Sequence, residues 1–579
     1  MKKQFDVNSI FEKIGKPFLR EGSFLILYLF VVLISVWVGF LQIRSPEALP
    51  LSADQEEFSS ERALGYLEEI ASKPRPLGSE EHDRVRDYLM MTLNNLGVSP
   101  ELQTIEGTFS SWGQLFEGKV ENIVARIRGK DSSQTIMITS HYDSVPNSPG
   151  AGDSGSGVAS ILETVRAITN SQLLKNDIVI LFSDGEESGL LGAQAFVQYH
   201  PWAKDIDIVL NFDARGTSGP SVLFEMNDQN ENIVAEFTKG ATHPITHSLF
   251  YELYQRLPND TDLSVYKHSG MLGMNFAFFV GLYGYHTPED TIDNLNLNSL
   301  QHHGGNMLDL VRHFGNLSMI EPRDGNSVFF NVLGKKVITY SEQLVLPIMV
   351  LAIILYVLTY MHGTIRKKLT LSGTGLGFLI FLITVTLAFF AGEELFALLA
   401  LIVGLDLWPL TAYPTISNPL FIGIILIVLA PIIVIYFVSL KKFDATNLSM
   451  GGFFGWLILV IISSVFFKGS SYVFVWPLIM GLLAVNLYLY IKKESDLKER
   501  LFSLGVIILP FIIVAPIIYL LYSLLTLKYT GLLIAITSLL TVFVIPALNH
   551  ARKRYLYMVP TVVFSLGLLI LIGCFIMNN

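Results

Sequence analysis

The sequence is short of several things, and each shortage excludes something. It has a single cysteine, Cys574, so no intrachain disulfide can brace any part of it. Charged residues make up only 16% of the chain, below the roughly 25% of ordinary globular proteins. Basic residues are outnumbered, 40 Lys and Arg against 50 Asp and Glu, giving a net charge of −10. That balance offers no basic face to a phosphate backbone and argues against nucleic acid as a partner. Charge is scarcest after residue 342, where apolar runs alternate with short polar loops.

What is present divides the chain into a polar part and an apolar part. Residues 1–22 form a cationic N-terminal segment with Lys2, Lys3, Lys13, Lys16 and Arg20. The run 23–41 is long enough to cross a hydrocarbon core of about 30 Å. No Ala-x-Ala site follows it, only Arg44, Ser45 and Pro46, so it is expected to stay as an anchor. Residues 50–325 have the mixed composition of a soluble domain, and 342–579 contain eight further candidate spans, making about nine in all. These are 342–361, 373–403, 420–440, 448–467, 472–491, 501–525, 530–549 and 556–577.

Cationic loops resist translocation, and here they alternate with neutral ones. Besides the N-terminus, cations cluster at Arg366/Lys367/Lys368, Lys441/Lys442, Lys492/Lys493/Lys498/Arg500 and Arg552/Lys553/Arg554. The intervening loops hold only Lys468 and Lys528. This pattern predicts a multi-pass cell-membrane protein in the lipid bilayer, N-terminus cytoplasmic, with the 50–325 domain outside the cytoplasm. The span 373–403 is unusual because it carries Glu393 and Glu394. Its length suggests a helix ending near Gly392, both carboxylates at the interface and an interfacial segment from Phe396 to Leu405.

Within 50–325, helical spacing at 59–72, 80–96, 156–169 and 189–198 alternates with strand-like runs at 120–127, 135–139, 177–182, 206–212 and 274–280. Such alternation predicts an α/β sandwich on a mostly parallel central sheet, whose ligands bind at the carboxyl ends of strands. Polar clusters fall there. His141 and Asp143 follow one strand, with Asp153 in a Gly-rich turn beyond. Glu186 and Glu187 follow the next. Asp213 follows a third, and Tyr285 and His286 come late in the domain. Singly, each cluster has a plain structural explanation: a surface loop, a helix cap or acidic residues at a helix N-terminus. Together, His141, Asp153, Glu187, Asp213 and His286 form a nitrogen and oxygen donor set suited to two Zn2+ ions with one bridging carboxylate.

The stretches His141-Tyr-Asp-Ser144, Gly152-Asp-Ser-Gly-Ser-Gly157, Asp184-Gly-Glu-Glu-Ser-Gly-Leu-Leu-Gly192, Asn211-Phe-Asp213 and Tyr285-His-Thr-Pro-Glu-Asp290 resemble the co-catalytic zinc aminopeptidase family, family twenty-eight among metallopeptidases. Arg75-Pro-Leu-Gly-Ser79 is similar to that family's N-terminal segment. The resemblance implies a zinc-peptidase-type sandwich and a metallopeptidase that hydrolyses peptide bonds as an aminopeptidase or other exopeptidase. It implies one metal on His141 and Asp213, another on Glu187 and His286, Asp153 bridging, Glu186 as general base and Asp143 orienting His141. Tyr285 is then placed to donate to the developing oxyanion. Arg215 and Glu225, past the Asp213 strand, are candidates for holding a substrate terminus.

The layout resembles the multispanning branch that includes vacuolar-membrane and endoplasmic-reticulum metallopeptidases, where the domain would face a vacuole or ER lumen. The cysteine-free domain favours a bacterial member. Two other readings stay open: a glutaminyl-cyclase-like zinc acyltransferase using one metal, and a receptor or transporter with a relic peptidase domain.

Overall fold

The computed structural model describes residues 21–578 apart from 112–113, 258, 319–324, 333–335, 404–413 and 491–495. The cations of residues 2–20, together with Lys492 and Lys493, lie outside the described residues. The chain forms two compact units, one of Gln42–Glu342 and one of Met1–Leu41 with Gln343–Asn579.

The polar unit is built on a seven-stranded sheet. Its strands are β1 (Pro100–Ser111), β2 (Gln114–Ile127), β3 (Thr135–His141), β4 (Asp177–Ser183), β5 (Ile208–Ala214), β6 (Val222–Met226) and β7 (Leu272–Phe278), in the order β1-β2-β4-β3-β5-β7-β6. β4, β3, β5 and β7 run parallel, and antiparallel strands flank them on both sides. A separate hairpin pairs β8 (Ser327–Val332) with β9 (Lys336–Ser341).

The central strands are apolar at nearly every position because both faces are covered. In β3 and β4, Ile136, Ile138, Ile178, Ile180 and Phe182 enter one core, and Met137, Val179 and Leu181 the other. The first core takes in the helices Ser60–Ile70, Glu80–Asn95, Gly157–Thr169 and Leu297–Asn316 through Leu67, Val85, Ile161 and Leu300. The second takes in Leu191–Tyr199 and Asp262–His268 through Phe196 and Tyr266. Helix starts follow local chemistry. Ser79 Oγ accepts from the His82 amide at 3.2 Å, and Glu80, Glu81 and Asp83 occupy that helix's first turn.

The apolar unit, among its described residues, has seven helices long and apolar enough to cross a membrane: Phe24–Leu41, Glu342–Ile365, Leu371–Leu401, Thr415–Ser439, Ala445–Phe466, Tyr472–Tyr490 and Arg500–Leu525. Their outward faces carry large apolar residues such as Leu29, Leu33, Trp37, Ile354 and Leu358, as lipid-facing helices do.

Two expectations for this unit need correction. The span 530–549 is not one helix. Thr530–Leu539 and Thr541–Tyr555 meet at a 57° bend, so the bent pair adds at most an eighth span. The Leu539 carbonyl at the break accepts a hydrogen bond from Trp456 Nε1 at 3.2 Å, which satisfies the backbone group at the bend. The last expected span, 556–577, is a helix whose described apolar stretch is the shorter Met558–Cys574.

The expected stop near Gly392 is the second correction. The helix runs unbroken from Leu371 to Val403, with Glu393 inside it. Glu393 Oε1 accepts the Gly531 amide at 3.0 Å, so this carboxylate caps the first half of the bent pair. A Cβ on Gly531 would meet Glu393 Cγ at 2.4 Å and the Phe389 carbonyl at 2.5 Å.

Candidate metal centre

Each candidate ligand sits where a strand of the parallel set ends. His141 is the last residue of β3, and Glu186 and Glu187 follow β4 by three and four positions. Asp213 is the penultimate residue of β5, and His286 lies in the loop beyond β7. Asp153 comes from the turn between β3 and the Gly157–Thr169 helix, where the Asp153–Ser154 peptide is cis. That turn needs glycine. Gly150 has φ +64°, and a Cβ on Gly152 would meet the Gly216 carbonyl at 2.5 Å.

The side chains converge. Asp153 uses both oxygens: Oδ1 lies 3.0 Å from His141 Nε2, and Oδ2 lies 3.2 Å from His286 Nε2. His141 Nε2 is also 3.6 Å from Asp213 Oδ1, and His286 Nε2 is 3.1 Å from Glu187 Oε2. Two donor sets result, His141/Asp153/Asp213 and Asp153/Glu187/His286, each with ligand atoms within 4.8 Å of one another. A third set of the same compactness joins His141 to Glu186 and Glu187.

Asp143 is buried behind these groups. Its carboxylate oxygens accept the amides of Glu186 at 3.1 Å and Glu187 at 3.2 Å, and Oδ1 lies 3.4 Å from His141 Nδ1. One side chain therefore sets both the imidazole and the turn that presents the two glutamates.

The electrostatics fit a site built for cations. Burial would depress His141, but Asp143, Asp153 and Asp213 together hold it well above the ordinary imidazole range. His286 is likewise driven up to about 10 by Asp153 and Glu187 against burial. Burial pushes Glu186 well above its usual range and, with Asp153 nearby, raises Glu187 to about 7. Asp213 is raised as well, first by burial. So many carboxylates, Asp153 buried and the other three partly so, around two imidazoles are an uncompensated negative charge. Protons relieve it only by occupying the lone pairs that a metal would use. The nitrogen and oxygen donors present fit zinc.

Tyr285 stacks on the His286 ring at 3.8 Å. Burial raises its phenol further above the ordinary range, so it remains a hydrogen-bond donor at neutral pH. Arg215 lies over the Tyr285 ring, its guanidinium carbon 5.4 Å from the centroid.

Glu225 is not brought to this cluster as a free group. It is buried, with Oε1 on Lys267 Nζ at 3.0 Å and Oε2 accepting from Asn275 Nδ2 at 2.9 Å. Its charge is thus already balanced by Lys267.

Sequence reasoning missed two supports. Asp290 accepts the amides of Gly152 at 2.7 Å and Asp153 at 3.1 Å, fixing the turn that carries the shared carboxylate. Arg75 is wholly buried and donates to the carbonyls of Tyr142 at 2.6 Å, Gly150 at 3.0 Å and Pro149. Both stood in stretches singled out by resemblance. What the sequence did not disclose is that their partners would be backbone groups.

Residues 122–311, which contain all five candidate ligands, match the sequence pattern of Peptidase family M28. The polar domain, which holds this match, is called the M28 domain for short. Endoplasmic reticulum metallopeptidase 1 of Mus musculus is 32% identical over 328 residues, covering 52% of this chain and 36% of the relative. A vacuolar membrane protease of Candida dubliniensis is 34% identical over 280 residues, covering 46% of this chain and 30% of the relative. The chain thus spans about a third of the length of these curated relatives. An aminopeptidase from Aneurinibacillus sp. strain AM-1 superposes with a TM-score of 0.38 at 15% identity, over 47% of this chain and 98% of the other. The M28 domain has 42–342 as its compact unit, so the β8–β9 hairpin belongs to it, beyond the match.

Proposed function

We propose that this chain is a membrane-bound metallopeptidase that hydrolyses peptide bonds at a two-zinc centre, acting as an exopeptidase such as an aminopeptidase. The observation that carries this reading is Asp153, whose two oxygens face two different histidines. A carboxylate so shared suits a bridge between two cations. His141 and Asp213 would hold one, and Glu187 and His286 the other. Bound there, the pair would supply Lewis-acid polarisation of the scissile carbonyl and lower the pKa of a water toward about 7.

The protein's own groups do the rest. Glu186, next to ligand Glu187 and held by its amide on Asp143, accepts the proton shed by the attacking water and returns it to the leaving amine. Its upward shift matches that duty, since a base must release the proton again. Tyr285 donates its phenolic hydrogen to the oxygen that gains charge. Asp143 keeps His141 and the 186–187 turn in register.

Purified full-length protein incubated with a peptide library should release products that a chelator abolishes, with about two zinc ions per chain by elemental analysis. Glu186→Gln should keep the zinc and lose hydrolysis. One zinc per chain together with release of pyroglutamyl peptides would transfer the chain to the glutaminyl-cyclase-like reading. Full hydrolysis by Glu186→Gln would remove Glu186 as base.

The charge pattern supports an orientation with the N-terminus cytoplasmic and the M28 domain on the opposite side of the membrane. Labelling of an engineered cysteine at exposed Glu47 by an impermeant reagent on intact cells tests it. Protection until lysis would reverse the assignment.

A further inference from the structure

A peptidase site must hold the charged groups of its substrate as well as the bond it cuts. The described cations around this centre differ in whether they are free to do so. Arg75 is wholly buried and spends its donors on three carbonyls. Lys267 is paired with Glu225. Arg215 is half-buried, and among the described residues its guanidinium makes neither an ion pair nor a side-chain hydrogen bond, only its contact with the Tyr285 ring.

Its position is fixed from both sides. It stands two residues beyond Asp213, with its amide donating to the Phe278 carbonyl at 2.9 Å. Next to it, a Cβ on Gly216 would meet the Val280 carbonyl at 2.5 Å, so the backbone there is packed against its neighbour. From the guanidinium, contacts lead to Tyr285, then to His286 stacked on Tyr285, then to Glu187 and Asp153. The cation therefore sits beside the centre, stacked on the residue assigned to the oxyanion. A half-buried guanidinium with open donors is suited to a planar anion, and its fork matches a carboxylate in two-point geometry.

We propose that Arg215 receives a carboxylate of the substrate close to the bond that is cut. This rests on the peptidase reading and deepens it, naming a carboxylate-bearing peptide as the substrate class. The carboxylate is either the C-terminus of a short peptide or an acidic side chain flanking the scissile bond.

The test uses full-length, zinc-loaded protein and two substrate pairs, Leu-Ala against Leu-alaninamide and Glu-p-nitroanilide against Gln-p-nitroanilide. Within one pair, kcat/KM should favour the carboxylate by about tenfold or more. Arg215→Met should bring that ratio close to one, and Arg215→Lys should restore part of it. Arg215→Gln serves if the methionine variant does not fold. The pair that responds identifies the source of the carboxylate.

Calorimetric binding of the same four compounds, with Glu186→Gln as the background, reads recognition without turnover. Tighter binding of the carboxylate member that depends on Arg215, but with no hydrolysis by the parent protein, would uphold this proposal and overturn the peptidase reading. Equal binding of both members of each pair, or a preference that survives Arg215→Met, would overturn the proposal and leave the peptidase reading standing.

Discussion

The metal centre of the M28 domain and the apolar helices both enclose polar groups, and they treat their charges differently. Among the described residues of the helical unit, one carboxylate and two amide side chains are each paired off, although buried hydroxyls such as those of Tyr28 and Ser449 are not. Glu393 takes the Gly531 amide, Asn447 takes the Thr370 amide at 2.9 Å and donates to the Lys368 carbonyl at 3.0 Å, and Asn486 bonds Thr359 and His362. In the M28 domain, Asp153, Glu186, Glu187 and Asp213 crowd around two imidazoles with more negative charge than the neighbouring residues balance. Balanced polar groups hold a structure together. An unbalanced set is a request for something from outside.

The sharpest way to break that contrast is to remove the group meant to act on the ligand. Glu186→Gln should lower kcat by about 10²–10⁴-fold, the usual worth of a general base, while elemental analysis still finds the parent zinc content. A loss of metal in step with activity would make Glu186 a ligand.

A second change probes the scaffold behind the centre. Arg75→Met leaves three carbonyls, two of them buried, without their donor and should destabilise the M28 domain by about 2–4 kcal/mol. Denaturant unfolding followed by tryptophan fluorescence would measure it, and an unchanged midpoint would make Arg75 dispensable.

The third test crosses to the helices. Gly531→Val, forced against Glu393 and Phe389, should cost about 1–3 kcal/mol, seen as a lower melting temperature in detergent. Its kcat on a soluble peptide should match the parent's. A large fall in kcat would couple the two units.

The smallest effect concerns Asp177, a buried carboxylate unrelated to the centre. Burial would raise it, but the Ser132 hydroxyl, the Gly129 amide and Arg126 outweigh that and hold it below the ordinary range. Its contribution is therefore present above the unfolded pKa of about 3.9 and fades as pH falls through the lower folded value. Asp177→Asn should cost about 1–2 kcal/mol at pH 7, and the gap from the parent should narrow on acidification below pH 4. A gap independent of pH would make the effect one of shape.

Much of the centre was legible because an apolar run ending in His or paired carboxylates is visible without a structure. β3 and β4 announce themselves through unbroken aliphatic residues, and the candidate ligands follow. β1 did not, because Glu101, Gln103, Thr104 and Glu106 belong to an edge strand with little to bury. The pairing of Glu225 was hidden because the lysine that neutralises it lies 42 residues away. The bend near Leu540 was hidden for the same reason, since its freed carbonyl is satisfied by Trp456, 83 residues earlier. Local pattern reads faces and ends, and it is blind to partners supplied by folding.

The contact between Glu393 and Gly531 constrains how this chain can vary. Position 531 admits no side chain, since the Phe389 backbone carbonyl blocks it whatever stands at 393, and an apolar residue at 393 would strand the amide of 531. Neither position can drift alone. Across related sequences glycine should hold at 531 and an acceptor at 393, as one inherited unit split across 138 residues.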